Sequence, residues 1–218
     1  VRTEYQKSEH SNPQERLIMN TLTPRKLSLS DIADVRAYER ERPEFKNRIM
    51  DMKQRRRLAL GPFVSVIFEN RDTVRYQIQE MARVERLSTD EEIQAEIDTY
   101  NPMIPDAGQL CATLFIELTS EEQMREWLSK LVGIEGSLVF RLAGGREVRS
   151  ITEAQHAGQL TRDYVTAAVH YVQFAFTPDD IAALAEGGAS LTCDHPAYRE
   201  EISLTLSNEI EFLTDLHP

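Results

Sequence analysis

Two kinds of hydrophobic pattern run along the chain, one with helical spacing and one in short dense runs. Phe45, Ile49 and Met52 fall at i, i+4 and i+7, one face of a helix. Ser28 or Ser30 can cap a first helix from about Asp31 to Arg40. Arg42-Pro43 predicts a break there, because the residue before proline disfavours the helical region. Pro43 then suits the first position of a second helix, ending near Arg57 before Gly61-Pro62. Residues 63–68 (FVSVIF) are a nearly continuous apolar run that predicts a strand buried on both faces.

The next segments repeat this alternation. Asn70 or Asp72 caps a long helix to about Leu87, with Val74, Ile78, Met81 and Ala82 as its apolar stripe. Ser88 or Thr89 opens another helix, with Ile93, Ile97 and Tyr100 on one side, and Asn101-Pro102 stops it. Residues 111–118 (CATLFIEL) predict a second strong strand. Ser120 and Gln123 form a capping box, ahead of a stripe of Met124, Trp127, Leu128 and Leu131 and a terminating Gly133. Residues 137–142 and 146–151 read as a hairpin across Gly144-Gly145. Residues 152–165 have no decisive pattern, and residues 168–176 predict a third strong strand. Thr177-Pro178-Asp179-Asp180 starts a helix that Gly187-Gly188 ends. Residues 189–193 and 201–206 read as strands joined by DHPAYR, with a last helix from Ser207.

This order predicts an α+β fold, a mixed β-sheet packed with helices, with some βαβ-like crossovers and an N-terminal helical arm. Residues 1–26 read as a tail or arm, and residues 27–218 as a single α+β domain.

Composition narrows the function classes. Hydrophobic residues make up 41% of 218, enough for a substantial core. No stretch approaches the roughly 20 apolar residues of a membrane span, and the polar N-terminus has no secretory core. Cys111 and Cys193 form no CxxC pair, so they give no zinc or redox motif and fit a reducing, cytoplasmic setting. The net charge of −11 is uneven: residues 1–60 carry 14 Lys+Arg against 9 Asp+Glu, or +5, and the rest carry 11 against 27, or −16. A basic arm on an acidic body docks on that body or on a sister subunit, or it binds an anionic partner. The first reading is preferred, since repulsion from the body opposes nucleic acid.

Three clusters could carry chemistry. Glu69 follows a buried strand, where a carboxylate is rigidly held beside a loop. Thr73, Gln77 and Glu80 share one face of the next helix, and with Glu69 could line a polar pocket with Arg71 as an anion clamp. The plainer reading is a helix cap with ordinary ion pairs. His170 lies on the apolar side of its strand, as a hydrogen-bonded core residue or a site residue with a tuned pKa. Asp194-His195-Pro196, with Tyr198 and Arg199, suits an Asx turn, an acid–base pair or a metal site. If His170, His195, Glu69 and Glu80 converged, they would suit a divalent transition metal as cofactor, although no HxxxH, HExxH or CxxC spacing supports one. The run Lys53-Gln54-Arg55-Arg56-Arg57 reads as a solvated helix end, with phosphate or nucleic acid contact as the alternative.

Residues 42–62 (RPEFKNRIMDMKQRRRLALGP), 68–86 (FENRDTVRYQIQEMARVER), 100–105 (YNPMIP), 169–176 (VHYVQFAF) and 194–199 (DHPAYR) resemble a bacterial family catalogued only as a domain of unknown function. The resemblance covers about residues 27–206 and brings no established activity. It coincides with the candidates Glu69, Arg71, Gln77, Glu80, His170, Asp194, His195 and Tyr198. Its members are often encoded beside rubrerythrin-like and iron–sulfur redox proteins, so the resemblance implies a role alongside peroxide, iron or electron-transfer chemistry. The chain has no iron–sulfur cysteine pattern, so that role is a partner's and not the electron carrier's. Two functions follow. One is an accessory or interaction protein that engages a protein partner or a homo-oligomer. The other is a small metal-dependent or acid–base enzyme acting on an anionic small molecule, with His170 and His195 as ligands or bases.

Overall fold

A computed structural model describes residues 25–152, 161–162 and 164–217. The predicted tail falls almost entirely outside them. Arg25 and Lys26 are described and already anchored, donating to the carbonyls of Pro105 and Ile104.

Among the described residues six α-helices pack with antiparallel sheets, as an α+β fold requires. The helices are α1 (Val35–Arg56), α2 (Arg71–Glu85), α3 (Asp90–Tyr100), α4 (Glu121–Lys130), α5 (Pro178–Ala185) and α6 (Leu206–Leu216). A five-stranded sheet has the order β1 (Arg57–Leu60), β2 (Val64–Glu69), β3 (Gln109–Ile116), β9 (Val169–Ala175), β6 (Ile151–Thr152). A four-stranded sheet runs β11 (Tyr198–Ser203), β10 (Ser190–His195), β4 (Leu138–Arg141), β5 (Glu147–Arg149). Two short strands, β7 (Thr161–Arg162) and β8 (Val165–Thr166), pair separately. Every pairing among the described residues is antiparallel, so the expected βαβ-like crossovers do not occur.

The inner faces of the two sheets enclose the main core. Phe68, Leu114, Val172 and Phe174 meet Leu138, Phe140 and Leu191, and Phe212 of α6 packs on Phe68 at a ring distance of 4.3 Å. Only Ser150 separates β5 from β6, so one chain segment turns the corner between the sheets. At the opposite corner the Tyr198 hydroxyl of β11 donates to the Leu60 carbonyl of β1. Helices α1, α2 and α3 cover the outer face of the five-stranded sheet, where Val74, Ile78 and Ile97 form a second apolar cluster.

Several sequence expectations change. Residues 35–56 form one helix through Pro43, not two. An interior proline costs about 3 kcal/mol. Packing on both sides offsets it: Tyr38 lies before it and Phe45 and Ile49 after it, all buried in one cluster. The basic run is not a solvated helix end throughout. Arg56 is fully buried, donating to the Phe68 and Glu69 carbonyls and pairing with Glu211 and Asp215 of α6. The chain then passes directly into β1, an unexpected strand. In α4 the expected stripe is only partly covered: Trp127 and Leu128 pack on the core, Leu131 just beyond the helix is buried, and Met124 is exposed. The β10–β11 hairpin runs to His195 and resumes at Tyr198, leaving only Pro196-Ala197 as its loop.

Candidate functional site

Of the two caps expected at the start of α2, Asn70 and Asp72, the helix uses Asn70, which forms a capping box with Thr73. Asn70 caps the helix, its side chain accepting from Thr73 N while Thr73 Oγ1 accepts from Asn70 N. This fixes the turn out of β2 and holds Glu69 beneath α2. Glu69 is 2% exposed, and its Oε1 accepts from the Thr113 hydroxyl at 2.8 Å. Its Oε2 is buried and has no hydrogen-bond partner. Leaving a buried polar oxygen unsatisfied costs about 1–3 kcal/mol. Thr113 pairs with Tyr171 across β3 and β9, so Tyr171 shares this face. Burial raises the Tyr171 phenol, Tyr100 and Glu69 add to the rise, and Gln77 hydrogen-bonds to it. Glu69, Gln77, Thr113 and Tyr171 therefore make a polar cluster between the sheet and α2. Thr113 and Tyr171 were absent from the sequence candidates, because strand register alone brings them beside Glu69.

The other candidates of this segment are engaged elsewhere. Arg71 pairs with Asp31 at 2.5 Å. Glu80 takes the Tyr38 hydroxyl at 2.6 Å and two Arg42 nitrogens at 2.7 and 2.9 Å. The Arg42 guanidinium is the main reason its carboxyl is held down to about 2, with Tyr38 adding to the effect. These contacts fasten α1 to α2. Nearby, a groove of about 280 Å³ lies between the start of α1, the end of α2 and the start of α3, lined in part by Ile32, Tyr38, Gln79 and Leu87.

His170 projects from the opposite face of β9. Its neighbour Tyr171 faces α2, so His170 and Glu69 lie on opposite sides of the five-stranded sheet. His170 is 1% exposed, with Nε2 at 2.9 Å from the Ala167 carbonyl and 2.8 Å from the Thr166 hydroxyl. A carbonyl only accepts, so Nε2 carries the proton of the neutral ring. Nδ1 then turns a lone pair toward Glu135 Oε2, 3.9 Å away and itself buried without a partner. Two acceptors facing each other leave room for a proton. Burial lowers the His170 pKa, and the Glu135 charge opposes that shift. Glu135 was not among the sequence candidates; nothing local marks it.

The DHPAYR segment folds as the tip of the β10–β11 hairpin. Asp194 is held by Arg149 through two hydrogen bonds of 2.8 and 2.7 Å, which keep its carboxyl below the usual range. His195 accepts from Ala197 N at 3.2 Å and lies 3.1 Å from the Val132 carbonyl. Tyr198 packs on Phe63 at 4.7 Å and bonds to the Leu60 carbonyl. Both thiols are free and buried, and burial pushes Cys111 up to about 12.

The structure thus brings Glu69 and Gln77 together, and separately His195 and Tyr198, cross-strand partners in the β10–β11 hairpin, while Asp194 turns to the opposite face of that hairpin and pairs with Arg149. It does not bring Glu69 to His170, and Glu80 is committed to the α1–α2 contact. Among the described residues no three His, Cys, Asp or Glu side chains are grouped as a metal ion requires. His170 and Glu135 together supply two donors, below the three protein ligands of a catalytic zinc site. No helix of the described residues is long and apolar enough to cross a membrane.

No curated protein matches the chain. A crystal structure of a protein of unknown function from Burkholderia pseudomallei K96243 matches it with a TM-score of 0.80 and 33% sequence identity, over 88% of this chain and 99% of that one. Residues 26–216 match the model of the family described as protein of unknown function, DUF3501, and the chain belongs to that family.

Proposed function

We propose that the protein is an accessory protein that acts by engaging a protein partner, and that the partner is a redox or iron–sulfur protein. The observation that carries this reading is how the candidate chemistry is used. Arg71, Glu80, Asp194, His195 and Tyr198 all bond to other parts of the fold. Side chains so held brace a scaffold and are not poised for turnover. Leu206 and Ile210, one turn apart on α6, are 72% and 56% exposed, which supports an interaction surface on that helix. The class of partner rests on the family resemblance. A homo-oligomer is the other form of the same reading, with residues 1–26 as its arm. The test is calorimetric titration of the purified full chain with a purified rubrerythrin-like protein. Saturable binding weakened by Leu206→Glu supports the reading; the absence of binding overturns its choice of partner.

One observation favours an enzyme as second reading: the unpartnered Glu135 oxygen facing His170 Nδ1 across 3.9 Å. That pair suits proton transfer with an anionic small molecule. Metal analysis of the purified protein tests its metal-dependent form. A stoichiometric transition metal lost in both His170→Ala and His195→Ala would establish it and displace the accessory reading.

A further inference from the structure

The outer face of the four-stranded sheet holds hydrogen-bond donors that the fold leaves unused. Strand register sets their arrangement. Thr192 of β10 lies opposite Val139 of β4 and Glu201 of β11, while Arg141 lies opposite Ser190 and Arg199 opposite Asp194. Arg141 and Arg199 are therefore diagonal neighbours of Thr192 on the same face, on its two flanking strands, with backbones roughly 7–8 Å from it. These three residues, with Asp194 and Glu201, line a cavity of about 370 Å³, which Cys193 and Glu200, cross-strand partners that alternate to the other face, also border.

Two of the three carboxylates at this cavity, those of Asp194 and Glu201, already have partners. Asp194 is clamped by Arg149, and Glu201 accepts from the Ser190 hydroxyl at 2.6 Å. The donors are not matched in the same way. Arg199 is exposed and makes no hydrogen bond or ion pair among the described residues. Arg141 approaches Glu147 only to 3.9 Å, beyond hydrogen-bonding distance. Thr192 is 7% exposed, and its hydroxyl is buried with no partner. Two guanidinium groups and a hydroxyl with unused hydrogen-bonding capacity thus border the cavity.

We propose that this cavity binds a small carboxylate ligand. The planar carboxylate matches the guanidinium fork in geometry and charge, and Thr192 supplies a further donor. Asp194 and Glu201 at the cavity, and the chain's net charge of −11, work against a ligand of higher charge such as a phosphate dianion. The volume lies at the lower end of the range for small-molecule pockets. This site is separate from the partner surface on α6 and stands or falls independently of it.

The test is an NMR titration of the full chain with sodium acetate at constant ionic strength, following the Thr192 amide and the Arg199 Nε–H. Saturable shifts at both positions are expected. Arg199→Gln should weaken binding about tenfold or more, equivalent to about 1.4 kcal/mol. Its side chain is exposed and unpaired, so the variant keeps the fold. Thr192→Val should also weaken binding, and Arg125→Gln, on the exposed side of α4, should leave it unchanged. Shifts that never saturate, or equal affinity in Arg199→Gln, would overturn the site. Inorganic phosphate binding more tightly at the same residues would overturn its assignment to carboxylates.

Discussion

Replacing Glu80 by glutamine isolates the contact that fastens α1 to α2. In the native protein the carboxylate receives the Tyr38 hydroxyl and two Arg42 nitrogens, and its pKa falls from 4.5 to about 2. At about 1.4 kcal/mol for each pH unit, this corresponds to about 3 kcal/mol of stability with the group fully ionised. The side chain keeps 22% exposure, and solvent screening reduces the expected contribution to about 2 kcal/mol. Because the folded-state pKa is depressed, the contribution is complete above 4.5 and is lost as pH falls through about 2. Urea denaturation of the native protein and Glu80→Gln across this range reads it directly. The native protein should be more stable by about 2 kcal/mol near neutral pH, and the difference should shrink steadily below pH 4.5. Equal stabilities near neutral pH, or a gap that stays constant to pH 2, would refute the assignment of Glu80 as an interhelical brace.

Other perturbations probe other joints of the fold. Arg56→Met leaves Asp215 in a buried site without its cation and should cost about 3–5 kcal/mol in urea denaturation; adding Asp215→Leu should recover part of that loss. Gly61→Ala places a Cβ 2.5 Å from the Tyr198 hydroxyl at a φ of +70°, and should lower the denaturation midpoint by the equivalent of about 2 kcal/mol or more. His170 has a lowered pKa, so the unfolded chain takes up its proton first, and stability should fall as pH drops below 6.5. His170→Gln should flatten that fall between about pH 7 and about pH 5, and an unchanged slope would contradict it. Asn70→Ala removes the cap of α2 and should cost about 1 kcal/mol by the same assay.

What was legible in the sequence was local. The cap at Asn70 and the stripe of Val74, Ile78 and Ala82 declare α2, because both signals lie within the helix they specify. The run at β2 declares a doubly buried strand, and all six of its residues are buried. Arg56 was not legible. Its partners Glu211 and Asp215 lie at the other end of the chain, and a lone arginine in a basic run gives no sign of burial. Pro43 misled because its local cost is visible in sequence, while the compensating contact of Tyr38, Phe45 and Ile49 with α2 is tertiary. The same distinction governs the polar residues. Glu69 at a strand end was readable, whereas Thr113, Tyr171 and Glu135 acquire their roles only through strand register and the path of distant loops. Arg141, Thr192 and Arg199 form a diagonal only once β4, β10 and β11 are aligned.

The most direct test of the accessory-protein account is hydrogen–deuterium exchange of the full chain with and without a purified rubrerythrin-like protein. The account predicts slowed exchange on addition of the partner, concentrated on α6 around Leu206 and Ile210, with the strands carrying His170 and Glu69 unaffected. Unchanged exchange throughout, or protection centred on His170 and Glu135, would contradict it and move the function to the interior of the fold.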